Sequence, residues 1–282
     1  MKKTIHYLIK NKKKIIILSL SCIMIFIFIW YQNHHIVVSV FDYKSSKLSA
    51  DSDTLDIVQI SDLHNANFGK NNEKLIRAID ELAPDIIAIT GDIVDSNHTN
   101  ISIALHFVNE MTKKYPVYYV NGNHEYWLDD EQRNELFAGM QEAGAVILRN
   151  EKTAIDTGHS SMTLIGLDDQ NLHDTTLSSI IKTCDKNTFS LVLAHEPQYI
   201  DTYCEAGADL VLTGHAHGGQ VILPILGPLI APDQGFFPKY TAGKFQQEST
   251  TMYISRGLGN SVIPVRLFNY PEIVCIKIQG IG

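Results

Sequence analysis

Thr213-Gly214-His215-Ala216-His217-Gly218-Gly219 decides how this chain is read. It follows Ala208-Asp209-Leu210-Val211-Leu212, an apolar run with the length of a buried strand. Two histidines one residue apart, set among glycines at a strand end, suit metal binding. Glycine lets the backbone turn sharply and approach a site closely. Neutral imidazole is the commonest metal ligand.

Moving outward, four earlier strand ends carry ligand types of the same kind. Leu55–Ile60 leads into Ser61-Asp62-Leu63-His64, and 85–90 leads into Gly91-Asp92. Val117–Val120 leads into Asn121-Gly122-Asn123-His124-Glu125, and 189–194 leads into His195. Ligand sites in α/β sheets gather at the carboxyl ends of strands. Asp62, His64, Asp92, Asn123, His195, His215 and His217 offer seven nitrogen or oxygen donors, too many for one zinc. They suit two metals about 3.5–4 Å apart, with the two carboxylate oxygens of Asp92 placed to bridge them. No thiolate belongs to the set, so manganese, iron or zinc is expected.

Between these strands the chain alternates. Helical spacing is predicted over 72–82, 101–112, 129–143, 177–183 and 197–205. Segments 146–148, 153–156 and 162–167 read as antiparallel strands with a turn at Thr157-Gly158, and late strands are expected at 220–223, 251–255 and 272–278. The stretch 224–245 is rich in proline and glycine and reads as a loop. Strand–helix alternation with added hairpins argues for an α/β sandwich.

The N-terminal part has a different character. Six lysines precede the first acidic residue, Asp42; the other 17 Lys and Arg face 31 Asp and Glu, leaving −14. So acidic a body argues against non-specific nucleic-acid binding. Residues 1–14 read as a basic cytoplasmic end and 15–31 as a transmembrane anchor finishing in Trp30-Tyr31. A cleaved signal peptide needs small residues at its cleavage site, where this chain has Trp30-Tyr31-Gln32-Asn33-His34-His35. A stem with a first strand at 36–41 and a loop at 42–53 is then expected. The domain proper, 54–282, follows outside the cytoplasmic membrane. Cys22, Cys184, Cys204 and Cys275 show no CxxC spacing and read as packing residues.

Taken together, Asp62-Leu63-His64, Gly91-Asp92, Gly122-Asn123-His124-Glu125, His195 and Gly214-His215-Ala216-His217 resemble the calcineurin-like metallophosphoesterase superfamily. Ala231-Pro232-Asp233-Gln234-Gly235 and Ser255-Arg256-Gly257-Leu258-Gly259-Asn260 are similar to its small membrane-associated bacterial phosphodiesterases, relatives of UDP-diacylglucosamine pyrophosphatases. The resemblance implies a four-layer α/β/β/α sandwich. It assigns Asp62, His64, Asp92 and His217 to one metal, and Asp92, Asn123, His195 and His215 to the other. It makes His124 the histidine that assists the leaving group or transition state, with attack by a metal-bound hydroxide. Ile93-Val94-Asp95-Ser96 stands where protein Ser/Thr phosphatases carry a phosphate-clamping arginine.

Arg256 and Asn260 are candidate phosphate contacts, against an equal reading as a structural turn. Asp168 and Asp169 either line the site or simply end a strand. The expected function is phosphoester hydrolysis at the membrane on a lipid-linked substrate. The alternative is a membrane-tethered metal-binding or metal-sensing module without turnover.

Overall fold

The computed structural model describes residues 2–156, 161–168 and 175–282. The expected turn at Thr157-Gly158 lies outside them, as do Asp169, His159 and His173. Helix α1 (Lys2–His34) is followed after two residues by β1 (Val37–Ser45). Then come β2 (Leu55–Ile60), α2 (Glu73–Leu82), β3 (Ile86–Thr90), α3 (Ile101–Thr112) and β4 (Val117–Val120). A one-turn α4 (Asn123–Tyr126), α5 (Asp130–Glu142) and β5 (Val146–Ile147) end the first half.

The second half holds β6 (Glu151–Asp156), β7 (Ser161–Gly166), α6 (Thr176–Ile181), β8 (Phe189–Leu193), α7 (Ile200–Ala206) and β9 (Leu210–Thr213). Two small hairpins follow, β10 (Ile222–Leu223) with β11 (Gly227–Pro228) and β12 (Ile230–Ala231) with β13 (Gly235–Phe236). The chain closes with β14 (Gly243–Gln247), β15 (Thr250–Ile254) and β16 (Glu272–Gly280).

Two six-stranded sheets result, ordered β1-β16-β2-β3-β4-β5 and β14-β15-β9-β8-β7-β6. Both are mixed. In the first, only the β16–β2 pair is antiparallel; in the second, β14–β15 and β6–β7 are. The central strands are buried on both faces, which is why they read as near-continuous apolar runs. Along β2, Ile57 enters the core between the sheets with Leu191, Leu212 and Ile276, while its neighbour Val58 faces α2 and α3. A third core packs α6 and α7 on the second sheet through Leu177, Ile200 and Tyr203. Helix, sheet, sheet, helix is the expected four-layer order.

Four expectations need correction. Val146–Leu148 does not join the hairpin of the second sheet; Val146 and Ile147 pair parallel to β4 in the first. Residues 42–45 are strand, not loop, because Asp42-Tyr43-Lys44-Ser45 continues the β1 register against Lys277–Gly280. Their alternate exposure suits an edge strand, which tolerates polar residues on its open face. The 220–223 strand shrinks to Ile222–Leu223, and the 224–245 stretch, expected as a loop, supplies β11, β12 and β13.

The Lys12–His34 part of α1 is long and apolar enough to cross a membrane, about 34 Å at 1.5 Å per residue. Its end is bound to the body. Asn33 accepts from the Arg266 amide at 2.8 Å and from Asn260 Nδ2 at 3.0 Å, and donates to the Arg266 carbonyl at 3.1 Å. Gln32 donates to the Tyr270 hydroxyl at 2.9 Å.

Candidate metal centre

The site forms where β2, β3, β4, β8 and β9 end. Their following loops turn back within one or two residues, and the backbone shows it. Asp62, His64, Asp92, His215 and His217 all lie at φ between 45° and 65°. Left-handed φ is uncommon outside glycine and costs on the order of 1–3 kcal/mol where other contacts enforce it. The loops enforce it on each other: the amides of Asp62 and His64 donate to the carbonyls of Gly91 and Asp92 at 3.1 and 3.0 Å. Gly214 is required by close approach, since a Cβ there would overlap Ser61 Oγ and Asp62 Oδ2.

The structure brings Asp62, His64 and His217 into one group and Asp92, His195 and His215 into another. His64 Nε2 is 3.2 Å from His217 Nε2, which is 3.6 Å from Asp62 Oδ1. Asp92 Oδ2 stands 3.5 Å from His64 Nε2 and 3.3 Å from His195 Nε2, between the groups. Two donors each about 2.1 Å from a shared tetrahedral ion are about 3.4 Å apart. The spacings therefore fit ligands around a cation. Asn123 Oδ1 is buried without a hydrogen-bond partner, a neutral oxygen available to an ion.

His195 and His215 are held in ligand-ready tautomers. His195 Nδ1 donates to the Thr90 carbonyl at 2.7 Å, which leaves the lone pair on Nε2 facing Asp92. His215 Nε2 meets Asp233 Oδ2 at 2.8 Å, so its Nδ1 keeps a lone pair. Burial pushes the His64 imidazole down to about 3 and His217 well below its usual value, so both are neutral at physiological pH. Burial alone would raise the Asp92 carboxyl, but the neighbouring histidines, His195 above all, hold it well below the usual range. The amides of Gly122, Asp92 and Ile93 donate to Glu125 at 2.7–2.9 Å; burial and the Asp92 carboxylate still push it up to about 7.

His124 stands beside the first group, its ring 4.5 Å from that of His64. The Ser96 amide donates to its Nδ1 at 3.1 Å. An amide can only donate, so the proton of neutral His124 sits on Nε2, which lies 3.0 Å from Ser261 Oγ.

Arg256 and Asn260 are not among these groups. Arg256 pairs with Glu272, its Nε 3.7 Å from Oε1. Asn260 bonds Asn33 and Gln220. Asp168 bonds Tyr126 and faces Arg149 Nε at 3.2 Å and Asn121 Nδ2 at 3.5 Å.

Two residues escaped the sequence reading. Asp233 lies in a quoted motif that carried no role. Arg266, fully buried, bonds the Gly259 carbonyl and reaches 3.3 Å from His217 Nδ1. Nothing local marks it.

The family model for calcineurin-like phosphoesterases matches residues 55–219, the span that holds all these strand ends. The chain belongs to that family. It is 29% identical over 267 residues to the metallophosphoesterase YkoQ of Bacillus subtilis, covering 92% of this chain and 97% of the relative. It is 30% identical over 253 residues to a Bos taurus transmembrane protein with metallophosphoesterase domain, covering 83% of this chain and 55% of that one. The NAD nucleotidase of Haemophilus influenzae shares the fold at a TM-score of 0.50 and 14% identity, over 74% of this chain and 51% of the nucleotidase.

Proposed function

We propose that this chain hydrolyses phosphoesters with two divalent cations. Asp62, His64, Asp92 and His217 would hold one, and Asp92, Asn123, His195 and His215 the other. The observation that carries this is the position of Asp92 Oδ2, within 3.5 Å of His64 Nε2 and 3.3 Å of His195 Nε2. All-nitrogen-and-oxygen donors suit manganese, iron or zinc. Such a pair, when bound, lowers the pKa of water towards about 7 and stabilises attacking and leaving oxygens.

The chain's own residues supply the rest. Asp62 and Asp92 provide negative charge, and their second contacts go to backbone amides: the His215 amide donates to Asp62 Oδ1 at 3.0 Å and the His124 amide to Asp92 Oδ1 at 2.8 Å. These bonds fix carboxylate orientation before substrate arrives. His124 Nε2–H, 3.0 Å from Ser261 Oγ, would donate a hydrogen bond to the leaving oxygen and stabilise the charge that develops there.

The substrate we favour is a phosphodiester or diphosphate attached to a lipid. Helix α1 spans a bilayer in this reading, its lysine flank cytoplasmic and the metal centre on the other side. The bovine relative's name supports a membrane setting. A cavity of about 310 Å³ runs from His217 and Ser261 along Ile230, Pro232, Val262 and Ile263. Its walls are mostly apolar, as an acyl chain requires.

The test uses full-length protein in lipid nanodiscs with manganese. An activated phosphodiester should turn over, stop on chelation and recover on metal addition. Two bound metals without turnover would favour a metal-binding module. A lipid-linked substrate and its water-soluble head-group analogue, cleaved equally well, would overturn the lipid assignment and leave the hydrolase standing.

A further inference from the structure

We propose that the β10–β11 and β12–β13 hairpins, with the 261–268 loop, form a second membrane-contact surface that sits in the same phospholipid bilayer as α1. This rests on the reading of α1 as a membrane span.

The surface is apolar where water would disfavour it. Ile225, Leu226, Phe236, Phe237, Val262 and Phe268 all expose large side chains, Ile225 completely and Val262 by 83%. Ile225 also adopts φ 73°, a conformation at which a β-branched residue is an outlier and glycine or asparagine is free of strain. Neither its backbone nor contact with water favours isoleucine there. Apolar solvent does.

The charge pattern agrees. Residues 221–245 contain one acid, Asp233, and two lysines, Lys239 and Lys244, within a body of −14 overall. The acid is engaged by His215. Lys239, two residues past Phe237, is exposed and suits anionic head groups.

Continuity with α1 identifies the occupant. The Phe268 ring lies 5.6 Å from the ring of Phe28, inside the apolar part of α1. Backbone bonds of 2.9 Å then run across the surface. The Ile222 amide donates to the Leu267 carbonyl, the Leu229 amide to Val221 and the Phe237 amide to Leu229. A groove of about 330 Å³ separates Phe26, Ile29 and Trp30 of α1 from Phe68, Pro264 and Val265 of the body. One wall of that groove is membrane helix, so the facing wall lies at the same depth. Because Asn33 and Gln32 clamp α1 to the body, the hairpins cannot swing away from the plane that α1 defines. Val262 also lines the cavity at His217 and Ser261, so the metal centre opens at the level of the lipid head groups.

The test places single tryptophans in the full chain after Trp30→Phe and Trp127→Phe, with one chain per nanodisc. Reporters at Ile225→Trp and Phe236→Trp probe the hairpins; Phe26→Trp probes α1, and Val146→Trp on the far sheet edge is the control. The discs carry acyl-brominated phosphatidylcholine and phosphatidylglycerol. Interfacial apolar groups sit about 5–10 Å into the head-group and acyl boundary, so emission at both hairpin sites should fall about twofold, as at Phe26, with none lost at Val146. Quenching at Phe26 but not at either hairpin site overturns this proposal and leaves the span intact. Quenching at the hairpins but not at Phe26 overturns the span and, with it, the proposal that hairpins and α1 share one bilayer. Hairpin sites unquenched in single-chain discs yet shielded at high protein density would assign the surface to a second copy and overturn the bilayer assignment. None of these readings depends on turnover, so a failure of the hydrolase reading does not move them.

Discussion

Asp92 Oδ2 lies 3.3 Å from His195 Nε2 while Asp92 Oδ1 accepts the His124 amide at 2.8 Å. One oxygen is thus committed to the backbone and the other is presented to two histidine groups at once. Asp92→Asn keeps the shape but replaces a shared negative charge with a neutral amide. Supporting contacts to metal ligands typically cost 10–100-fold when removed, and a bridging ligand should exceed that. The expected outcome is joint loss of metal occupancy and of turnover, by about 10²-fold or more. Elemental analysis showing two metals retained, with near-normal turnover, would refute the bridge.

His124 makes a different prediction, because its nitrogens are spoken for by Ser96 and Ser261 and not by Asp92. His124→Ala should leave metal content unchanged and lower kcat by about 10²–10⁴-fold. The loss should shrink for substrates whose leaving group is a good one, such as nitrophenolate. Metal loss in this variant would make His124 a ligand.

Asp233 holds His215 at 2.8 Å, and the bond draws the Asp233 carboxyl below its usual value. The carboxylate fixes which ring nitrogen faces the metal centre. Asp233→Asn weakens that control without touching the core, since the Asp233 side chain is 62% exposed. Metal affinity should fall about 10–100-fold at the Asp92–His195–His215 group. Thermal stability of the metal-free protein should move by no more than about 0.5 kcal/mol. Metal titration by calorimetry separates this from general destabilisation.

How far the sequence led can be seen in these residues. Asp62, His64, Asp92, Asn123, His195, His215 and His217 were legible because each follows a short apolar run with the length of a buried strand. A strand end in an α/β sheet fixes where its next residues go. Asp233 and Arg266 were not legible, for one sits in the turn of the two-residue β12–β13 hairpin and the other in a loop, and both paths depend on tertiary contacts. The 42–45 strand was missed for a related reason. Its polar residues look like a loop until β16 supplies a partner far along the chain, Asp42 against Lys277. The docking of Asn33 on Arg266 is equally non-local, and a hydrophobic pattern shows where a membrane helix is without showing what its end binds.

Arg266 links two of these features and gives the last prediction. Its side chain is fully buried, with burial lowering the guanidinium to about 10, so it remains charged at neutral pH. Nε donates to the Gly259 carbonyl at 3.1 Å and Nη2 to the same oxygen at 2.6 Å. Its backbone is what Asn33 clasps. Arg266→Met fills similar volume but leaves that carbonyl unpaired, at a cost of about 1–3 kcal/mol. For a domain of this size, each kcal/mol lowers Tm by about 2–4 °C, so a fall of about 2–12 °C is expected. The 259–268 loop should loosen with it, which hydrogen exchange reads at Gly259, Asn260 and Ser261. If Arg266 only packs, Met should restore stability in full and exchange should not change. If it holds the loop that joins α1 to the metal centre, exchange should rise there and at Gln32–His34 together, while the β2–β3–β4 core keeps its protection.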